Sequence, residues 1–148
     1  MSVTLRPARP LDAGALGAIL DGWVRATPWM PQLYSGAEAV SFLSQMIDAG
    51  WVTTAETDGA PAGFLARDGG DVHALYLGEG ARGRGIGARL LDAAKSGESA
   101  LSLWTFEANT GAQRFYDREG FVPVRRTSGD NDEGLPDIQF RWQRSETT

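Results

Sequence analysis

A glycine- and arginine-rich stretch that leads into a helix constrains this chain more than any other feature of its sequence. The stretch "ARGRGIGARLL" covers residues 81–91 and holds three glycines and three arginines. Glycine at alternate positions is conformationally costly, so such a stretch usually exists where the backbone must approach another group closely. The arginines beside the glycines indicate that this group is an anion.

The composition of the whole chain excludes several classes of partner. The 148 residues carry a formal net charge of −5, which disfavours binding to nucleic acid or to an anionic membrane. The absence of cysteine excludes disulfides, thiolate metal sites and a thioester on the protein, and we expect no metal. We expect one domain over residues 1–148. The start "MSVTLRPARP" lacks the apolar core of a secretion signal and no apolar run could span a bilayer, so the predicted location is cytoplasmic.

Apolar periodicity predicts two helices followed by an antiparallel meander. The first helix covers residues 11–26 with Asp12 as its predicted N-cap, and the second begins at the capping box of Ser35 and Glu38 and ends at Gly50. Three strand-like runs follow at 51–56, 62–67 and 72–77, separated by turns that contain Asp-Gly. A meander before the glycine–arginine stretch argues against a sheet built only from parallel strands.

The second half of the chain predicts a parallel crossover and a closing strand pair. The glycine–arginine stretch opens a helix, and a strand follows at 100–106, so strand, helix and strand imply a parallel pair. Asn109 is a predicted cap for a further helix. Strands at 121–127 and 137–143 end the chain, and the polar segment "SGDNDEGLP" between them is predicted to be a loop.

The glycine–arginine stretch has the composition of a backbone anion site at a helix start. Gly83, Gly85 and Gly87 leave no Cβ to block a phosphate, while Arg82 and Arg84 can neutralise it. A flexible turn with solvated arginines is the alternative interpretation.

Two other phosphate-binding classes fit this stretch less well. A nucleoside-triphosphate loop needs Lys-Ser or Lys-Thr after its last glycine, where this chain has Ala88 and Arg89. A dinucleotide fold is harder to dismiss, because Gly83, Gly85 and Ala88 fit its glycine pattern and Glu107 follows at the end of the next strand. That fold, however, consists of consecutive βαβ units, which the meander contradicts.

Two motifs in order resemble the GNAT family of N-acetyltransferases. "LYLGEGARGRGIGARLL" is similar to that family's acyl-coenzyme A motif, with Arg82, Gly85 and Gly87 at the motif positions, and "NTGAQRFYDREGF" is similar to its second motif. The resemblance implies a mixed α/β (α+β) fold, in which about four helices flank a mostly antiparallel sheet of about six or seven strands, splayed at the cofactor site. The segment "EGLPDIQFRW" also resembles a bacterial subgroup of the family.

The resemblance implies direct transfer of an acetyl group from acetyl-CoA to a primary amine of a small molecule or peptide. The pyrophosphate would lie on backbone N–H groups of residues 82–87, and the pantetheine arm would extend the sheet between the strands at 72–77 and 100–106. Tyr116 would face the sulfur and act on it as an acid. The implied cofactor-binding residues are Leu75, Leu77, Arg82, Gly83, Arg84, Gly85, Ile86, Gly87, Asn109 and Tyr116.

A base is also needed, because a free primary amine has a pKa of about 10.4 and deprotonating it at neutral pH costs roughly 4 kcal/mol. Strand alternation predicts Asp71 and His73 on one face, with Glu56 on the neighbouring strand. His73 and Glu56 are therefore candidate bases. A hydrogen-bonded strand residue is the alternative interpretation of His73, and a solvated strand end is the favoured interpretation of Glu107.

The acceptor is expected to enter beside the first two helices. The segment "TPWMPQLY" between them offers Trp29, Met30 and Tyr34 as substrate-binding residues. The sequence is compatible with a homodimer. The main competing function is an acyl-coenzyme A sensor without turnover, which would not need Tyr116 beside the thiol. The tryptophans predicted to lie in the core are Trp23, Trp51 and Trp142.

Overall fold

The computed structural model describes residues 2–145. Over that range the chain forms seven strands in one sheet and four α-helices. The strands are β1 (Val3–Pro7), β2 (Val52–Thr57), β3 (Ala60–Asp68), β4 (Asp71–Leu77), β5 (Ala100–Phe106), β6 (Val122–Thr127) and β7 (Asp137–Gln143). The helices are α1 (Ala13–Ala26), α2 (Gly36–Asp48), α3 (Ile86–Ser96) and α4 (Thr110–Arg118).

The sheet has the order β1-β2-β3-β4-β5-β7-β6, and every neighbouring pair is antiparallel except β4 and β5. Asp58 and Gly59, with φ of 53° and 80°, form the two-residue turn between β2 and β3. Both residues have the positive φ that a tight hairpin turn with right-handed strand twist requires. The predicted meander, the parallel crossover and the closing strand pair are therefore confirmed.

The helices pack on both faces of the sheet and divide the core in two. The first cluster contains Ile86, Leu90 and Leu91 of α3 against strand residues such as Leu101 and Phe140. The second lies on the other face, where helices α1 and α2 cover β2 to β4. Each fully buried leucine or phenylalanine stabilises the fold by about 1.5–3 kcal/mol. Within residues 2–145, the helices are all too short or too polar to cross a membrane.

Most helix ends follow the sequence prediction. The Ser35 hydroxyl accepts the Glu38 N–H at 3.1 Å, and the Glu38 carboxylate accepts the Ser35 N–H at 3.0 Å, which completes the predicted capping box. The Asn109 side-chain oxygen accepts the Ala112 N–H at 3.1 Å at the start of α4. Gly50 has φ of 79° just beyond α2, where a helix end favours glycine.

Asp12 does not cap α1, because its carboxylate is used elsewhere. A short 3₁₀ turn, Pro10–Asp12, precedes the helix, and the carboxylate accepts two hydrogen bonds from the Arg6 guanidinium, at 2.7 and 2.9 Å. It also accepts the Arg9 N–H at 2.7 Å. Asp12 is buried, and hydrogen bonding to Arg6 lowers its pKa from 3.8 to about 2. An ion pair therefore joins β1 to the start of α1.

Asp12→Asn should destabilise the protein by about 1–2 kcal/mol at neutral pH, because the carboxylate's pKa is lowered on folding. The sign of that shift makes the contribution fully present above the ordinary pKa of 3.8 and progressively lost as the pH falls to about 2. Urea unfolding across this range should show the gap between parent and variant closing. Asp21→Asn, which breaks the exposed Asp21–Arg25 pair, is the control and should cost less than about 0.5 kcal/mol. Equal losses in both variants would contradict this account of Asp12.

Strands β4 and β5 separate soon after they meet. Their ladder contains a single pair, Asp71 with Ser102, and the Ser102 N–H donates to the Gly70 carbonyl at 2.8 Å. Beyond that point β4 remains paired only with β3, and β5 only with β7. Two strand edges therefore face each other across a gap in the middle of the sheet.

Candidate active site

A cavity of about 740 Å³ occupies the gap between β4 and β5. One end reaches the glycine–arginine loop and the start of α3, and one side is formed by residues along the length of α4. The cofactor-binding candidates that line it are Leu75, Leu77, Arg82, Gly83, Gly85, Gly87, Asn109 and Tyr116. The sheet order thus gathers residues from two distant motifs at one opening.

The glycine loop presents an open backbone at the N-terminus of α3. Gly83 and Gly85 have φ of 76° and 78°, a left-handed conformation that side chains rarely adopt. Apart from the adjoining residues, no described atom lies within 4 Å of where a Cβ of either residue would stand. Since the first N–H groups of a helix have no acceptor within the helix, this loop has the chemistry of an anion site.

Gly87 has a different role from the other two glycines. A Cβ at this position would lie 3.2 Å from Cζ of Phe115, so glycine permits α3 to approach α4 closely. Ile86 is fully buried in the first core cluster, and neither its side chain nor that of Arg84 lines the cavity. The buried side chain of Ile86 cannot reach an anion in the cavity, so only its backbone could belong to an anion site.

Tyr116 lies at the inner wall of the cavity. Its side chain is 8% exposed and packs against Phe121 and Phe140, with ring centroids 5.5 and 6.1 Å away. Within residues 2–145 the hydroxyl has no hydrogen-bond partner in the protein. Burial, and less strongly the nearby Tyr76, raises the pKa of Tyr116 above its usual value. The hydroxyl is therefore protonated at neutral pH and free to donate.

Comparison with known proteins identifies the family. The sequence model of the "Acetyltransferase (GNAT) domain" matches residues 48–123. The peptidyl-lysine N-acetyltransferase YjaB of Salmonella typhimurium is 31% identical over 134 residues, which cover 88% of this chain and 91% of that protein. The chain belongs to the GNAT family of N-acetyltransferases. The predicted family and enzyme class are thereby confirmed.

Solved structures show that the GNAT fold extends over the chain. The solution structure of apo-form YjaB from Escherichia coli has a TM-score of 0.81 at 24% identity, covering 98% of this chain and 100% of that one. A structure of yncA from Salmonella typhimurium, solved with its cofactor acetyl-CoA, has a TM-score of 0.75 at 20% identity, covering 100% and 97%. These likenesses confirm the predicted fold, with its mostly antiparallel sheet.

His73 of this acetyltransferase lies on a β-bulge of β4. The pairing with β3 runs from Ala66 with Ala74 directly to Arg67 with Val72, which leaves His73 unpaired. Its ring stacks on Trp51 with centroids 4.9 Å apart and an angle of 15° between the planes. His73 also lines the cavity. Among the described residues the ring has no side-chain hydrogen bond, so stacking on Trp51 is the contact that the structure shows for it.

Glu56 lies on β2, and the prediction that it lies on the strand next to β4 is wrong. Strand β3 separates the two strands, and Glu56 does not line the cavity. Its carboxylate accepts a hydrogen bond from Arg6 at 2.6 Å and lies 3.7 Å from the Arg9 guanidinium. To act as a base, Glu56 would have to leave both arginines.

The segment between α1 and α2 forms an outer layer around the cavity. Trp29 packs edge-on against Trp23 and Phe106, each at 5.8 Å between centroids, and both of those residues line the cavity. The exposed Tyr34 hydroxyl donates to the Asp132 carboxylate at 3.1 Å. Trp29, Met30 and Tyr34 themselves do not line the cavity.

Several residues that line the cavity were not predicted from the sequence. Trp23 was expected to be a core residue, and Tyr76, Trp104 and Phe106 had no predicted role, yet all four line the cavity. Tyr76 packs against Trp23 at 5.2 Å, and burial together with the negative charge of Glu133 raises its pKa to about 12. The available signal was the presence of five tryptophans in 148 residues, which core packing would equally explain.

Proposed function

We propose that this protein transfers an acetyl group from acetyl-CoA to a primary amine of a small molecule or peptide. The observation that carries the proposal is the gap between β4 and β5, which opens into one cavity with the glycine loop at its end and Tyr116 at its inner wall. The absence of cysteine is consistent with transfer in a ternary complex, without an acyl group on a protein thiol.

Acetyl-CoA would lie along this cavity as the donor substrate. Backbone N–H groups of residues 82–87 would hold its pyrophosphate, with Arg82 and Arg84 supplying positive charge. The pantetheine arm would pair with the free edge of β4 around Leu75 and Leu77, as an added strand does. Because the Asn109 side-chain oxygen already caps α4, its NH₂ group is the part that would reach the arm.

Residues around the cavity would carry out both proton transfers, from the amine and to the sulfur. The amine nitrogen bonds to the acetyl carbon and loses its proton to a base, for which His73 is the candidate that lines the cavity. As the carbon–sulfur bond breaks, its electron pair goes to sulfur, and the Tyr116 hydroxyl donates its proton there. Trp29, Met30 and Tyr34 would bound the acceptor's entrance from the α1–α2 side.

Acetyl-CoA should raise the melting temperature by about 5–10 °C at a hundredfold excess over its Kd, because ligand that binds only the folded state stabilises it by mass action. A thermal-shift titration measures this effect, and release of free thiol with a panel of amines measures turnover. NAD is the control ligand, since a dinucleotide fold would respond to it. Equal shifts from both ligands, or none from acetyl-CoA, would contradict the proposed function.

A further inference from the structure

A second cavity, of about 410 Å³, adjoins the first on the side of the β6–β7 loop, residues 128–136. The two cavities share the wall formed by Trp104, Thr105 and Phe106. An acceptor whose reacting amine lies near Tyr116 can therefore extend the rest of its length along this wall. The second cavity is therefore a candidate site for that remainder.

The residues that line this second cavity carry more negative than positive charge. Its ionisable residues are Asp130, Glu133, Asp137 and one cation, Arg125. Asp137 is engaged by Thr127 and Asn131, and Arg125 lies 5.2 Å from the ring of Trp104. The second cavity thus combines the aromatic faces of the shared wall with an excess of carboxylates, a combination that suits a cation.

Glu133 is the carboxylate in this lining that is best placed to meet the acceptor. It is half-buried, and within residues 2–145 its carboxylate has no hydrogen bond or ion pair. It lies close enough to the first cavity for its charge to act on Tyr76. Because Glu133 is only partly exposed to water and has no partner in the described protein, an incoming positive group can pair with it directly.

We propose that the second cavity binds a positively charged group of the acceptor, with Glu133 as its counter-ion, so that the preferred acceptor is dibasic. The inference rests on the proposed function and adds the substrate class. One positive group lies beside Glu133 while a second, deprotonated amine reacts in the first cavity. A diamine and a peptide lysine next to another basic residue share this chemistry.

The test compares acceptors of equal length that differ only in the second charge. Putrescine should be acetylated with a kcat/KM roughly tenfold higher than that of pentylamine, in which a methyl group replaces one amine, and Glu133→Gln should remove most of this preference through KM. Asp48→Asn, an equal change of charge at the exposed end of α2, should keep the preference. Added salt should weaken it, because the interaction is electrostatic.

A second pair of acceptors shows whether the cation belongs to a diamine or to a basic residue next to a peptide lysine. Peptides whose lysine is followed by arginine or by norleucine repeat the comparison, and a preference in either pair that depends on Glu133 supports the proposal. Acetylation without preference in both pairs, or a preference unchanged in Glu133→Gln, overturns it. Failure of the proposed function is distinguishable, because acetyl-CoA would then either leave the melting temperature of the parent and of Glu133→Gln unshifted or raise it without thiol release from any amine, charged or neutral.

Discussion

Tyr116→Phe should lower turnover at least tenfold while leaving the melting temperature and acetyl-CoA affinity close to those of the parent. As the carbon–sulfur bond breaks, negative charge develops on sulfur, and a positioned acid contributes roughly 10²–10⁴-fold to such a step. Burial raises the pKa of Tyr116, so its hydroxyl stays protonated and available through neutral pH. Phenylalanine keeps the ring packing on Phe121 and Phe140 and deletes only the hydroxyl.

Steady-state kinetics and a thermal-shift titration on the same preparation separate the acid role from a packing role. Tyr76→Phe is the comparison variant, because it deletes a hydroxyl from the opposite wall of the same cavity. We expect its loss of turnover to be the smaller one. Equal losses would assign the effect to cavity polarity, and a Tyr116→Phe enzyme within twofold of the parent would falsify the acid role.

Gly85→Val should reduce acetyl-CoA affinity by about tenfold or more. A branched side chain at the start of α3 would stand between the phosphate and the backbone N–H groups, and charge-assisted hydrogen bonds would be lost there. Its Cβ would meet no atom beyond the adjoining residues, since nothing else lies within 4 Å of that position. The fold should survive, with about 1–3 kcal/mol of strain from a φ of 78°.

Gly50→Val provides a matched control for this substitution. Gly50 has φ of 79°, also has no atom within 4 Å of a built Cβ, and lies beyond α2 away from the cavity. Both variants should therefore lose similar stability in urea unfolding, and only Gly85→Val should lose acetyl-CoA binding by calorimetry. Normal binding by a folded Gly85→Val protein would show that the loop does not hold the cofactor.

Capping and turn chemistry was predictable because it acts between near neighbours in the chain. The Ser35–Glu38 box and the Asn109 cap each close within three residues, and the Asp58-Gly59 turn needs only its own backbone conformation. The capping role of Asp12 failed for the opposite reason. Its carboxylate is taken by Arg6 on β1, a partner that the helix pattern does not contain.

Strand alternation alone does not predict the bulge in β4, which reverses the phase of the strand at His73. Uninterrupted alternation would put His73 on the face of Leu75 and Leu77, which pack with the first core cluster. In the structure Val72 packs on that face, and the His73 ring stacks on Trp51 at the other one. An extra residue in a strand moves the side chains that precede it to the opposite face of the sheet. Nothing in the local sequence marks the position of such a bulge.

The sequence by itself determined the family, the mostly antiparallel sheet with its single parallel pair, and the glycine loop at the start of α3, because each depends on short motifs and local periodicity. The tertiary structure alone decided which residues surround the cavity. Strand β3 separates Glu56 from β4, and Tyr34 meets Asp132 across 98 positions of the chain. The separation follows from the strand order, and the contact follows from the packing of two distant loops. Strand order and loop packing are properties of the whole fold rather than of any segment.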